Sequence, residues 1–161
     1  MSRPSILLLA MFVCSTALAA GEQLAGEKAF VRQIVASLIE RQPTPGFAVA
    51  DKVVALDNGE MLSREDFQKA WPEFCKMAFR EKVSADAFFA KMELRMEPAT
   101  ENKRLMSNKR VLAAYKPQQG DVYCDASQVK SGEKNVIGYP KAFIYVIRKV
   151  EGKWTLIGIG G

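Results

Sequence analysis

Three aspartates and four tyrosines are the side chains best suited to acid–base chemistry: Asp51, Asp57 and Asp125 as carboxylate bases, with Tyr115, Tyr123, Tyr139 and Tyr145 as phenolic donors. A carboxylate whose pKa is raised by an apolar wall, facing a phenol, is a workable arrangement for enolisation. Asp51 and Asp57 stand beside turn signals, however, and Asp125 follows Cys124, so solvated carboxylates are the expectation for all three. The 161 residues contain no histidine. That removes Ser–His and Cys–His nucleophile systems and the usual zinc sites. No motif calls for a metal or cofactor, so no catalytic residue is assigned and no cofactor is expected.

Two basic pairs, Lys103-Arg104 and Lys109-Arg110, fall within eight residues. Lys103, Arg104, Lys109 and Arg110 are the candidate partner-binding residues, a docking surface for an acidic protein or an anionic glycan. The competing reading is a strand edge kept from aggregating by positive charge. Trp71 and Trp154 fall at spacings expected of core anchors.

The first nineteen residues carry an address. Arg3 gives a positive start, Ile6 to Val13 an apolar run, and Ala17-Leu18-Ala19 a small-x-small cleavage site. This is the pattern of a secretory signal over residues 1–19, too short to act as a membrane span. Phe12 and Val13 precede Cys14, where a lipoprotein would need a small residue, so no lasting membrane anchor is expected. The expected location is the periplasm. Cleavage leaves residues 20–161 as one domain, long enough for a substantial core. The net charge is +5 for the whole chain, and losing Arg3 makes it +4. This balance is too weak and dispersed for nucleic acid. Cys75 and Cys124 then remain, and an even pair in an oxidising compartment predicts a disulfide. Closing that loop would stabilise the fold by about 4 kcal/mol. The pair lacks the C-x-x-C spacing of a redox site.

The elements that must hold these residues come next. Phe30, Val31, Ile34, Val35, Leu38 and Ile39 recur at helical spacing, with Glu27, Lys28, Arg32 and Glu40 opposite, and Pro43 to Gly46 ends that helix. Lys52–Leu56 reads as a short strand or a turn of helix before the Asn58-Gly59 turn. Ser63 caps a second helix with Phe67, Ala70, Trp71, Phe74 and Ala78 on its apolar stripe, and Pro72 is expected to kink or split it. Ser84 caps a third, whose pattern over Met92–Met96 fits a helix or a strand. Leu105–Tyr115 and Asp121–Val129 are strand candidates around a Pro117–Gly120 turn, with a polar loop at Ser131–Lys134. Ala142–Lys149 and Lys153–Ile159 form a hairpin about Val150-Glu151-Gly152.

Helices first and strands second define an α+β domain, with N-terminal helices packed on one face of a curved antiparallel sheet of about four strands. The Asn58-Gly59 turn, the Ser63-Arg64-Glu65-Asp66-Phe67 helix start and the closing AFIYVIRKVEGKWTLIGIGG resemble the NTF2-like (cystatin-like) superfamily. Phe79 to Ser84 with that ending is similar to small exported proteins of the same superfamily. The resemblance implies a C-terminal hairpin completing a sheet around a helix-lined pocket. It implies no single activity, since the superfamily includes isomerases, dehydratases, binding subunits and inhibitors.

The expectation from these residues is an exported, non-catalytic binding protein that inhibits a protein partner, as an immunity protein does against a toxin or a cell-wall-active enzyme. The alternatives are a small-ligand binder or carboxylate-dependent isomerase or hydratase built on the NTF2-like pocket, and an assembly factor of the cell envelope or a secretion system.

Overall fold

The computed structural model describes residues 26–79, 83–129 and 143–161. The signal pattern, Cys14, Tyr139 and the Ser131–Lys134 loop lie outside them.

A helix over residues 26–39 (α1) buries Phe30, Val31, Ile34, Val35 and Leu38, the stripe expected from their spacing. It stops before Pro43. Arg41 takes a left-handed φ of 52°. Its N–H donates to the Leu38 carbonyl at 3.2 Å and the Gln42 N–H to the Ser37 carbonyl at 3.1 Å, a Schellman ending with arginine where glycine is usual. Glu27, expected on the outer side, is buried at the inner end of this helix.

Strand β1 (Val49–Ala55) turns through Gly59 into the short β2 (Met61–Ser63). Ser63 caps helix α2 (Arg64–Ala78) by accepting the Asp66 N–H at 3.1 Å. The helix runs through Pro72 without splitting. A proline inside a helix removes one ladder bond and costs about 3 kcal/mol. Burial of Phe67, Trp71, Cys75 and Ala78 along the same stripe offsets that cost, at about 1.5–3 kcal/mol for each large side chain.

Ser84 caps helix α3 (Ala85–Lys91), and the chain passes directly into strand β3 (Met92–Pro98). The ambiguous Met92–Met96 stretch is therefore strand. The expected strand at Leu105–Tyr115 is two short helices instead, α4 (Lys103–Ser107) and α5 (Lys109–Ala114). Asparagine decides this. The Asn102 side chain accepts the Leu105 N–H at 2.7 Å and that of Asn108 the Val111 N–H at 3.2 Å, so each begins a helix. Strand β4 (Val122–Val129) follows. β5 (Ile144–Val150) and β6 (Lys153–Gly160) make the expected hairpin. Its two turn residues, Glu151 and Gly152, both have positive φ, 49° and 79°, as a two-residue hairpin loop of the primed type requires.

The sheet has six strands, not about four, in the order β2-β1-β6-β5-β4-β3. It is mixed rather than wholly antiparallel, because β1 pairs with β6 in parallel. Helices also cover both faces. On one side α1, α2 and α3 pack over Val53, Cys124, Tyr145, Ile147 and Leu156. On the other, Leu105, Val111 and Tyr115 pack over Val54, Tyr123, Ile144, Val146 and Ile157. The alternation of Ile144 and Val146 with Tyr145 and Ile147 separates these two cores. The larger core is closed by rings: Phe79 stacks on Phe143 at 5.3 Å between centroids, and Trp71 meets Phe47 at 5.3 Å.

Candidate functional site

At the end of the larger core the packing leaves a pocket of about 240 Å³. Leu38 of α1 and Phe74, Met77 and Ala78 of α2 form its helical wall. Ala55, Leu62, Phe143 and Ile159 form the sheet side, with Gly160 and Gly161 at the rim. The space exists because Ala55, Ala78, Gly160 and Gly161 bring almost no side-chain volume to a place where six larger apolar groups converge.

Among the described residues Asp57 is the one charged side chain on this lining. It is held over the end of β6 by the backbone: the Leu56 N–H donates to the Ile159 carbonyl at 2.8 Å, and the Gly161 N–H to Asp57 Oδ2 at 3.3 Å. Glycine at 160 permits this approach, since a Cβ there would lie 3.0 Å from Leu56 Cβ and 3.4 Å from Asp57 Oδ1. Gly59, at φ 79°, lets the same turn close on α5, where a Cβ would stand 2.5 Å from the Arg110 carbonyl oxygen. Asp57 is exposed at the mouth and forms no ion pair among the described residues. Chemically, the site is an apolar recess with one carboxylate at its lip.

The other candidate carboxylates are elsewhere. Asp51 pairs with Arg64 at 2.7 Å on the surface. Asp125 Oδ1 accepts the Ser127 N–H at 2.8 Å and the Ser127 hydroxyl. Tyr145 lies in the ring stack against Phe143. Tyr123 and Asp57 both line a smaller depression, about 140 Å³, on the opposite face of the sheet. Burial pushes the Tyr123 phenol above its ordinary pKa.

One buried acid was missed by sequence reasoning. Asp121 is wholly buried and receives Arg148 as a fork, Nε to Oδ1 at 2.6 Å and Nη2 to Oδ2 at 2.8 Å. The Gln118 N–H donates to Oδ2 at 2.8 Å, and the Tyr115 hydroxyl donates to the same oxygen. Burial alone would raise the Asp121 pKa, but the Arg148 fork, Tyr115 and Gln118 outweigh it and hold the carboxyl below its ordinary value. Burial, then the bond to Asp121, pushes the Tyr115 phenol up. Every oxygen of this carboxylate is committed, so the group ties the loop after α5 to β5. The only clue in the chain was Asp121 beside the turn at Gly120. Its partner 27 residues away could not be assigned without the β4–β5 register.

Lys103 and Arg104 lie on α4 and Lys109 and Arg110 on α5, all exposed and in no ion pair among the described residues. All four lie on helices rather than on a strand, and Arg104 stands beside the edge strand β3. The sheet's edges are β2 and β3. Arg104 alone faces a groove, which it shares with Arg95 and with the acidic Glu93, Glu97 and Asp125.

In this structure Cys75 and Cys124 are buried free thiols with no disulfide between them. Pairing arithmetic counts cysteines without placing them. Cys75 sits on α2 with its Sγ 3.9 Å from the Ser37 carbonyl oxygen, and Cys124 lies within β4 with its Sγ 3.8 Å from that of Val122. Burial pushes the Cys75 thiol up to about 11 and raises that of Cys124 further, so neither is an ambient nucleophile. Trp71 is a core anchor as expected. Trp154 is only half-buried, with Lys149 over its ring at 5.9 Å and an open groove beside Phe30 and Phe47. Among the described residues no cluster of acidic or cysteine side chains is arranged to hold a metal ion.

Comparison with protein-family models, with curated proteins and with solved structures finds no match for this chain.

Proposed function

We propose that this chain is an exported binding protein of NTF2-like build that holds a small apolar ligand in the pocket between α1, α2 and the ends of β1 and β6, without turning it over. The apolar recess of about 240 Å³, with Asp57 as its one charged side chain among the described residues, carries this reading. Ligand sites are apolar concavities with few, placed polar groups. The helix order, the closing hairpin and the helix-lined pocket support the NTF2-like assignment. The leader-like Met1–Ala19 supports export to the periplasm. Among the described residues no helix is long and apolar enough to cross a membrane. Binding is preferred to catalysis because Asp57, the carboxylate at the pocket, is solvent-facing, while Asp121 is saturated by its partners.

A titration with 2-phenylethanol, followed by NMR, tests the site. Ala78→Leu places a larger side chain in the recess and is expected to abolish binding while leaving the fold intact. Equal binding by wild type and Ala78→Leu would overturn the assignment.

A second reading keeps a protein as partner, an inhibited toxin or cell-wall-active enzyme, engaged through α4 and α5. The exposure of Lys103, Arg104, Lys109 and Arg110 without ion-pair partners favours it.

A further inference from the structure

Resting on the reading of the pocket as a ligand site, we propose that it selects amphiphilic amines, compounds with a compact apolar body and one protonated nitrogen. The argument is one of size, wall and charge. An apolar cavity of about 150 Å³ takes benzene, so one of about 240 Å³ takes roughly nine or ten heavy atoms in proportion. Phe74, Leu38, Leu62 and Ile159 offer such a body only dispersion and shelter from water.

The polar end of the ligand must then satisfy itself at the lip, where Asp57 is the only charged side chain among the described residues. Among the described residues no lysine or arginine lines this pocket to receive a carboxylate or phosphate. Arg104, the basic side chain that shares the neighbouring depression with Asp57, belongs to the opposite face of the sheet and forms no ion pair with it. One oxygen of Asp57 takes the Gly161 N–H at 3.3 Å; Oδ1 remains for an ammonium N–H. An ammonium buried with its apolar body would lose its hydration, whereas one left at the lip keeps water on one side and the carboxylate on the other. The geometry thus sorts ligands by head group after the recess has sorted them by size.

The test is a calorimetric series on the chain with three probes of like shape: 2-phenylethylamine, 2-phenylethanol and phenylacetate. The amine is expected to bind about two- to five-fold more tightly than the alcohol, the range of a solvent-exposed ion pair, and the acid most weakly. Asp57→Asn, which keeps an oxygen for the Gly161 N–H, is expected to erase the amine's advantage without weakening the alcohol. Met77→Lys, at an exposed rim position, is expected to weaken the amine and strengthen the acid. If the alcohol binds as tightly as the amine, or if Asp57→Asn leaves the order unchanged, the amine proposal falls and the pocket stands. If none of the three binds wild type, the pocket reading itself falls.

Discussion

Replacing Asp121 with Asn tests whether the buried Tyr115–Asp121–Arg148 cluster is a structural tie, as its geometry requires. Asn conserves shape but puts an NH₂ group where one carboxylate oxygen was. Against Oδ2 it would meet three donors, and against Oδ1 it would meet Arg148 Nε, so at least one donor faces a donor in either orientation. The Arg148 charge also loses its partner. Breaking a buried pair from one side costs about 3–5 kcal/mol. The Arg148 side chain is 26% exposed and recovers some hydration, which lowers the expected loss to about 2–3 kcal/mol. For a domain of this size that is a Tm lower by roughly 5–10 °C. The pH dependence has a fixed sign. Because the folded pKa of Asp121 is depressed, its stabilisation is complete above the unfolded carboxylate range, about pH 4, and is lost as pH falls through the folded value. Urea denaturation of both proteins should therefore show a gap that is full at neutral pH and narrows below about pH 4. A gap under about 0.5 kcal/mol at neutral pH, the scale of surface substitutions, would refute the tie. So would a gap that stays constant into acid.

Pro72→Ala should restore a ladder N–H inside α2 and raise stability by about 1–2 kcal/mol in denaturant melts, the helix gain less the unfolded-state entropy that proline removes. A loss of stability would show that the proline ring is needed for packing. Cys75 and Cys124 should resist alkylation in the native state and both react once unfolded without reductant, because each is a buried free thiol with a raised pKa. Thiols silent even in denaturant would establish the disulfide. Reversing Lys103 and Arg110 to Glu should leave the Tm nearly unchanged, since neither is in an ion pair among the described residues, and should leave 2-phenylethanol affinity unchanged. A loss of small-ligand binding would tie the basic helices to the pocket.

Local signals in the chain were read where one residue settles an element. Ser63 and Ser84 cap the helices that follow them, and Glu151-Gly152 makes the tight hairpin. Misreadings occurred where a side chain competes with the pattern. Leu105–Tyr115 reads as strand until Asn102 and Asn108 are recognised as helix caps, which turn the stretch into two short helices on the second face of the sheet. Strand β2 is three residues long and carries too little pattern to be seen. The pocket had no local signal at all. It is made by what Ala55, Ala78 and Gly160 lack, and those positions meet only through the parallel β1–β6 pairing and the packing of α2. Asp57 was singled out as a carboxylate beside a turn, and its exposure matches that reading; its place at an apolar mouth came only with the fold. Asp121 was missed for a similar reason. A buried charge is legible only with its partner, and Arg148 comes beside it through the register pairing Val122 with Ile147.

The most direct test of the binding reading is a methyl-resolved NMR titration of the chain with 2-phenylethanol. The account predicts saturable shifts concentrated on the Leu38, Leu62, Met77 and Ile159 methyls, which line the pocket, with Val111 and Val146 in the opposite core unmoved. Shifts absent from the pocket methyls up to the solubility limit of the probe, or centred on the α4–α5 face, would contradict it.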